Sequence, residues 1–273
     1  MPGVAWRLSD ISAHLARARR SQQHLAGHCP IFRRVGRPTS KRRQPAMAGY
    51  SPGMPVILIV DDHPLFRRAL AGTIADSVPD AVTLEAASLA LARDALQGRA
   101  DVDLVLLDLH MPDSRGLMGL AALRAEFPAV AVMMVSAHED PRTVRRAMAC
   151  GAMGFIPKSA PPDQLAIAVR TVLDCREWLP EQLRDAVASA STPGGDALAA
   201  RLATLTAQQH RVLAQVADGR LNKQIADTLG IQERTVKAHL TAIFERLGVR
   251  NRTQAGVLLR SLDLGDPSRS LPD

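Results

Sequence analysis

The sequence predicts two folded parts: an α/β doubly wound domain on a five-stranded parallel sheet, then a small all-α domain of four helices. Three observations carry that expectation. Between residues 55 and 178, five short Val/Ile/Leu-rich runs alternate with five helix-length segments, as in a parallel sheet covered on both faces. From Ala197 onward, helical periodicity continues with no strand signal. The charge also changes sign, since residues 51–180 carry 12 basic and 16 acidic side chains whereas 197–260 carry 10 and 4.

The strands are read at VILIV (56–60), VTLEAA (82–87), VDLVLL (102–107), VAVMMV (130–135) and GFIP (154–157). The helices are read at Leu65–Ser77, Ser88–Gln97, Leu117–Glu126, Pro141–Cys150 and Pro162–Cys175. After Glu177 a stretch containing Pro, Ala, Ser and Gly ends in STPGG (191–195), so 179–200 reads as a linker that cannot continue a stable helix. The second domain, 201–264, has helices at 206–218, 222–229, 233–247 and 252–262. Thr206 with Gln209 forms a capping-box start, and Gly219, Gly230 and Gly248 stand where three helices should stop.

Both ends read as disordered. Residues 1–54 hold RARR and KRRQP clusters without sustained periodicity, apart from a short amphipathic stretch around Val4–Arg20, and 265–273 form a polar tail. The extension reads as a dispensable leader or an upstream-extended start, with Met47 or Met54 as the initiator. It carries 10 basic and 1 acidic side chain, so it supplies more than the whole net charge of +7. The basic character that bears on nucleic acid is instead the +6 of residues 197–260.

Composition excludes several classes. At 47% hydrophobic and 22% charged, with no apolar run of the ~18 residues a membrane span needs, the chain is not expected in a membrane. Cys29, Cys150 and Cys175 are odd in number and widely spaced, which points to neither a disulfide framework nor a zinc site, and to a cytoplasmic location.

The residues that follow the strands carry the chemistry, because the functional crevice of an open parallel sheet lies beyond the carboxyl ends of its strands. The first run ends in Asp61-Asp62, the third in Asp108 and the fourth in Ser136, while the fifth leads through Phe155 to Lys158. Three clustered carboxylates repel unless a cation sits among them, and Mg²⁺ is the natural occupant of an all-oxygen set. With Lys158 and the Ser136 hydroxyl, such a site would neutralise a transferring phosphoryl group placed on Asp108. A dehalogenase-type phosphohydrolase would need a second Asp where His110 stands. A flavin-binding domain would need an anion loop where DDHP stands.

Residues 55–178 thus resemble the flavodoxin-like receiver domain of two-component response regulators. The resemblance is carried by Asp61-Asp62 in VDDHPLFR, Asp108 in LLDLHMPD, Ser136 in VSAHED, and Phe155 with Lys158 in GFIPK. It implies that Asp108 accepts a phosphoryl group from a sensor histidine kinase or a small phosphodonor. It further implies that Asp62, Asp108 and the His110 backbone carbonyl hold Mg²⁺, with Asp61 acting largely through water. Ser136 and Phe155 would be the switch pair, the hydroxyl moving to the phosphoryl group as the ring turns inward. His110, two residues after the acceptor, is placed to tune hydrolysis of the acyl phosphate.

In the C-terminal part, NKQIADTLGIQERTVKAHLTAIFERLGV sets a short helix, a glycine turn and a longer helix in succession, a helix-turn-helix layout. Val236, Leu240, Ile243 and Leu247 form its buried stripe. Lys237, Ala238 and Thr241 lie opposite as candidate base contacts, and Lys223, Arg234 and Arg250 are candidate phosphate contacts. In the last helix Ala255, Leu258, Leu259 and Leu262 read as partly core.

This block resembles the LuxR-type DNA-binding domain of NarL/FixJ response regulators through LT (205–206), NKQIA (222–226), LGI (229–231), RTVKAHL (234–240) and LGVRNRTQA (247–255). It departs at Gln208-Gln209-His210-Arg211, where a charged run is usual, and at Gln232, where a Ser or Thr cap is common. The resemblance implies a transcription regulator, not an enzyme, that binds double-stranded DNA as a homodimer under control of Asp108 phosphorylation. An alternative from the same residues is a constitutive transcription factor whose receiver serves as a protein-interaction module.

Overall fold

The first strand, β1 (Val56–Val60), is buried along its whole length, which is possible only for a strand with neighbours on both edges and helices on both faces. The computed structural model describes residues 54–114, 116–190 and 195–262, with side chains as far as Leu259. The expectations for 1–53 and 265–273, and for Leu262 as a core residue, lie outside the described residues.

Among those residues β1 is followed by α1 (Pro64–Ser77), β2 (Val82–Ala86), α2 (Leu89–Gly98), β3 (Val102–Asp108), α3 (Leu117–Glu126), β4 (Ala131–Ser136), α4 (Pro141–Ala149), β5 (Gly154–Pro157) and α5 (Pro162–Leu173). The five strands form one parallel sheet in the order β2-β1-β3-β4-β5. Alternate residues divide its core in two. Leu58, Val60, Val105, Leu107, Val132, Met134 and Phe155 pack with α2, α3 and α4. Ile57, Ile59, Leu104, Leu106, Met133, Val135 and Ile156 pack with α1 and α5. Ile57, Leu58 and Ile59 are wholly buried, each worth about 1.5–3 kcal/mol of transfer free energy. The β2 edge is the exception, with Glu85 exposed and only Ala86 buried.

Three local devices fix helix starts. Ser88 accepts from Leu91 N–H, and Asp140 accepts from Thr143 N–H ahead of Pro141. Asp113 reaches back across the sheet edge to accept from the N–H groups of Leu89 and Ala90. Donors at a helix start would otherwise be orphaned.

The segment read as a linker is not free of helix. It carries α6 (Glu181–Ser189) and most of α7 (Gly195–Ala203). Pro180 stands at the N-cap of the first of these helices and Gly195 opens the second, and the helices form because Leu183 and Val187, and Leu198 and Leu202, are each spaced for one buried helical face. The C-terminal domain therefore has a fifth helix beside the four expected, α8 (Ala207–Ala217), α9 (Asn222–Leu229), α10 (Glu233–Leu247) and α11 (Arg252–Leu262). Leu198, Leu202 and Leu205 join its core, and Arg201 donates to the Leu247 carbonyl at 3.1 Å.

The expected capping box at Thr206 and Gln209 is formed in both directions. Gly230 and Gly248 close α9 and α10 at φ 64° and 70°, left-handed values that a Cβ would strain. The helical domain packs on α3 and α4. Met118 and Ala121 of α3 enter its core, Cys150 Sγ donates to the Ala199 carbonyl, and Arg145 Nε meets Asp196 Oδ2 at 2.5 Å. The Glu126 carboxylate, almost fully buried, bridges Arg93 and Arg211 at 3.1 Å each.

Candidate functional site

Because β1, β3, β4 and β5 are parallel and adjacent, their carboxyl ends meet at one edge. Asp61 and Asp108 are 1% and 4% exposed there, and Ser136 is fully buried. Lys158 lies between the acids, its Nζ 2.5 Å from Asp61 Oδ2 and 3.0 Å from Asp108 Oδ2. Burial alone would lower the Lys158 pKa, but hydrogen bonds and charge from Asp61 and Asp108 outweigh it and hold the ammonium above the ordinary lysine value. Lys158 is thus the internal counter-ion of the pocket.

Backbone bonds set this geometry. Lys158 N–H donates to the Ser136 carbonyl at 2.7 Å, Leu109 N–H to the Val135 carbonyl and Asp61 N–H to the Ala86 carbonyl. The Ser136 hydroxyl accepts from His138 N–H at 3.0 Å, so it is held at the strand end facing the crevice loop. His110 and His138 flank the mouth with ring centroids 4.9 Å apart. Phe155 faces inward at 1% exposure, packed in the core shared with Val144 and Ala147 of α4.

One oxygen or nitrogen each from Asp61, Asp62, His63 and Asp108 lies within 4.8 Å of every other. Asp61 Oδ2, paired with Lys158, and Asp62 Oδ1, 2.9 Å from His63 Nδ1, are buried oxygens of one pocket. Buried carboxylate oxygens so grouped fit a hard divalent cation, and the acidic cluster is consistent with a metal site.

Sequence reasoning missed two contributors, Phe66 and Arg67, and the pairing of His63, which the sequence offers only as a disfavoured general base. Phe66 lies under the ammonium, with Lys158 Nζ 4.7 Å from its ring centroid. Arg67 donates to the Asp61 carbonyl at 2.6 Å and pairs with Glu85. His63 closes onto both acids of the pair. Phe66 and Arg67 follow the acidic pair by about one helical turn, the signal by which they are legible; contact across the sheet is not visible in spacing.

In the C-terminal domain the buried stripe is as expected, with Val236 and Ile243 at 0%, Leu247 at 2% and Leu240 at 7% exposure. Lys237, Ala238 and Thr241 are exposed on the other face of α10, as are Lys223, Arg234 and Arg250 around it, and the receiver covers none of them. Lys237 pairs with Glu233 one turn back at 3.1 Å, a surface pair worth about 0.3–0.5 kcal/mol and easily exchanged for another partner.

Residues 57–170 match the family model for the response regulator receiver domain, and residues 203–259 match that for bacterial regulatory proteins of the luxR family. A glycerol metabolism activator of Pseudomonas putida is 42% identical over 203 residues, covering 73% of this chain and 92% of the relative. The chain belongs to the NarL/FixJ response regulators. This response regulator is also 32% identical over 202 residues to the nitrate/nitrite response regulator protein NarP of Escherichia coli, covering 74% and 93% of the two chains. The probable transcriptional regulatory protein NarL of Mycobacterium tuberculosis is 34% identical over 205 residues, covering 73% and 90%. The protein is therefore a DNA-binding transcription regulator, not an enzyme. Among the described residues of this response regulator, no helix is long and apolar enough to cross a membrane.

Proposed function

We propose that the protein is a cytoplasmic, phosphorylation-controlled transcription factor in which Asp108 is the phosphoacceptor, 55–178 the receiver, 179–200 the connector and 201–264 the DNA-binding domain. The observation that carries this reading is Lys158 held between two nearly dry carboxylates, Asp61 and Asp108, at the sheet edge. A carboxylate oxygen of Asp108 attacks the phosphorus of a phosphohistidine on a sensor kinase. The P–N bond breaks, the departing imidazole takes up a proton, and an acyl phosphate forms. Asp62, Asp108 and the His110 carbonyl would hold Mg²⁺, with Asp61 acting through water, and the ion would supply charge neutralisation. Lys158 then pairs with a phosphoryl oxygen and Ser136 donates its hydroxyl to another, exchanging its present role as acceptor from His138.

The added charge biases the Ser136/Phe155 face against α4, and α4 carries the Arg145 contact to Asp196. The exposed reading face supports control through pairing of two copies more than through uncovering α10. The two α10 helices of a homodimer then enter half-sites about one helical turn apart in double-stranded DNA.

The DNA half of the reading is tested by two variants on a selected genomic fragment. Arg234→Ala is expected to weaken binding to all sequences alike and to lower the salt slope by about one. Lys237→Ala is expected to relax the preference at one base position by about 1–3 kcal/mol. Equal effects of both variants on specific and random DNA, with no change in base preference, would contradict the assignment of Lys237 as a base contact.

A further inference from the structure

The run Gln208-Gln209-His210-Arg211 departs from the luxR-type pattern, and its histidine serves neither the phosphoryl chemistry nor the reading of DNA. His210 lies on α8, almost fully buried, and neither ring nitrogen has a hydrogen-bond partner of normal geometry. The groups that act on the ring come from both domains. They are Arg93 of α2 and Glu126 of α3 in the receiver, and the Leu202 carbonyl of α7 in the helical domain. Each oxygen of the nearly dry Glu126 carboxylate already meets a guanidinium, Oε2 that of Arg93 and Oε1 that of the adjacent Arg211, at 3.1 Å each.

An imidazolium at this place would be a third cation at one carboxylate, with no water to solvate it. Neutral imidazole fills the same space without that cost, so the packing of α8 on the receiver accepts His210 only without the proton. Separating the domains hydrates the ring and lets it titrate as an ordinary histidine.

We infer that the contact of α8 with the receiver is a latch opened by acid, in which protonation of His210 releases the helical domain with no phosphoryl group on Asp108. The reading face of α10 is exposed while the latch is closed, so opening frees the domain to reorient rather than uncovering its DNA contacts. Docked, His210 takes a proton only near about 4, whereas released it does so near the ordinary 6.5. Its contribution to docking is therefore full above the higher value and is lost as the pH falls through the window between them, with release gaining about tenfold by about pH 5.5.

The test follows Cys150, whose buried thiol donates to the Ala199 carbonyl across the same contact between domains. The full chain is treated with a dipyridyl disulfide, which reacts with thiols in acid, and modification of Cys150 is timed by peptide mass spectrometry. His210→Gln and His210→Leu, each shown to be folded by circular dichroism, are run at the same pH values, which cancels the reagent's own pH dependence. The ratio of parent to variant rates is expected to rise about tenfold from about pH 7.5 to about pH 5.5, and to do so equally when both chains carry Asp108→Asn. A flat ratio, whether because Cys150 stays closed or because the variants open in acid as readily as the parent, overturns the latch. A Cys150 rate as sensitive to urea as global unfolding would report unfolding of the whole chain, and overturns it as well. Loss of the rise on Asp108→Asn would tie the response to the phosphoacceptor and overturn its independence.

Discussion

Asp108→Asn is expected to abolish phosphoryl incorporation from a small phosphodonor, with the variant keeping the parent's fold and its basal affinity for DNA. The replacement is nearly isosteric and leaves the Lys158 ammonium paired with Asp61, so the pocket loses a nucleophile without losing its counter-ion. An amide oxygen is too weak a nucleophile to displace the phosphodonor's leaving group, and no second carboxylate has the same setting. Asp61 is already held by Lys158, by the His63 N–H and through its carbonyl by Arg67, and Asp62 stands outside the sheet edge, partly exposed. Labelled phosphate read by mass spectrometry of the intact chain checks this, with loss of at least about two orders of magnitude expected, the scale of removing a catalytic group. Full labelling of Asp108→Asn would remove Asp108 as the acceptor.

The second large effect concerns acid. His210 lies on α8 at 2% exposure, facing Arg93 and Glu126 of the receiver, and neither ring nitrogen makes a hydrogen bond of normal geometry. Burial is the largest influence on it. The Leu202 carbonyl and Glu126 favour the proton and Arg93 opposes it, and the result is a pKa pushed down to about 4. The unfolded chain binds this proton near the ordinary histidine value of about 6.5 while the folded chain refuses it until about 4, so stability is complete above the first value and falls as the pH drops toward the second. The span corresponds to about 3 kcal/mol. His210→Leu, which fills the same space without a basic nitrogen, is expected to lose that much less stability across the window in urea unfolding followed by circular dichroism. A variant as acid-sensitive as the parent would show that His210 titrates normally.

Much of this was legible in the chain, for physical reasons that vary by element. A strand buried on both faces must be apolar throughout, so VILIV and VDLVLL declare themselves, and the residue after each such run falls at the crevice by topology alone. Asp61, Asp108, Ser136 and Lys158 were found that way. The stops at Gly230 and Gly248 were legible because left-handed backbone leaves few alternatives. The helices α6 and α7 were hidden because Pro, Ser and Gly dominate the composition of 179–200, while the decisive signal was two short pairs, Leu183 with Val187 and Leu198 with Leu202. The bridge from Glu126 to Arg93 and Arg211 joins residues far apart in the chain, and no local pattern encodes it. His63 and Phe66 were visible as residues but not as partners, since their contacts run from α1 to the ends of other strands.

The pocket at the sheet edge is expected to govern what α10 does at DNA. The most direct measurement is binding of the parent chain to selected genomic fragments, with and without a small phosphodonor and Mg²⁺, read together with the mass of the bound species and with Asp108→Asn alongside. Tighter binding as a two-copy complex on paired half-sites, gained by the parent and not by Asp108→Asn, is the expected result. Equal affinity and stoichiometry with and without phosphodonor, in a parent chain shown to be phosphorylated, would contradict it and leave the receiver as a module that does not use phosphate to control DNA binding.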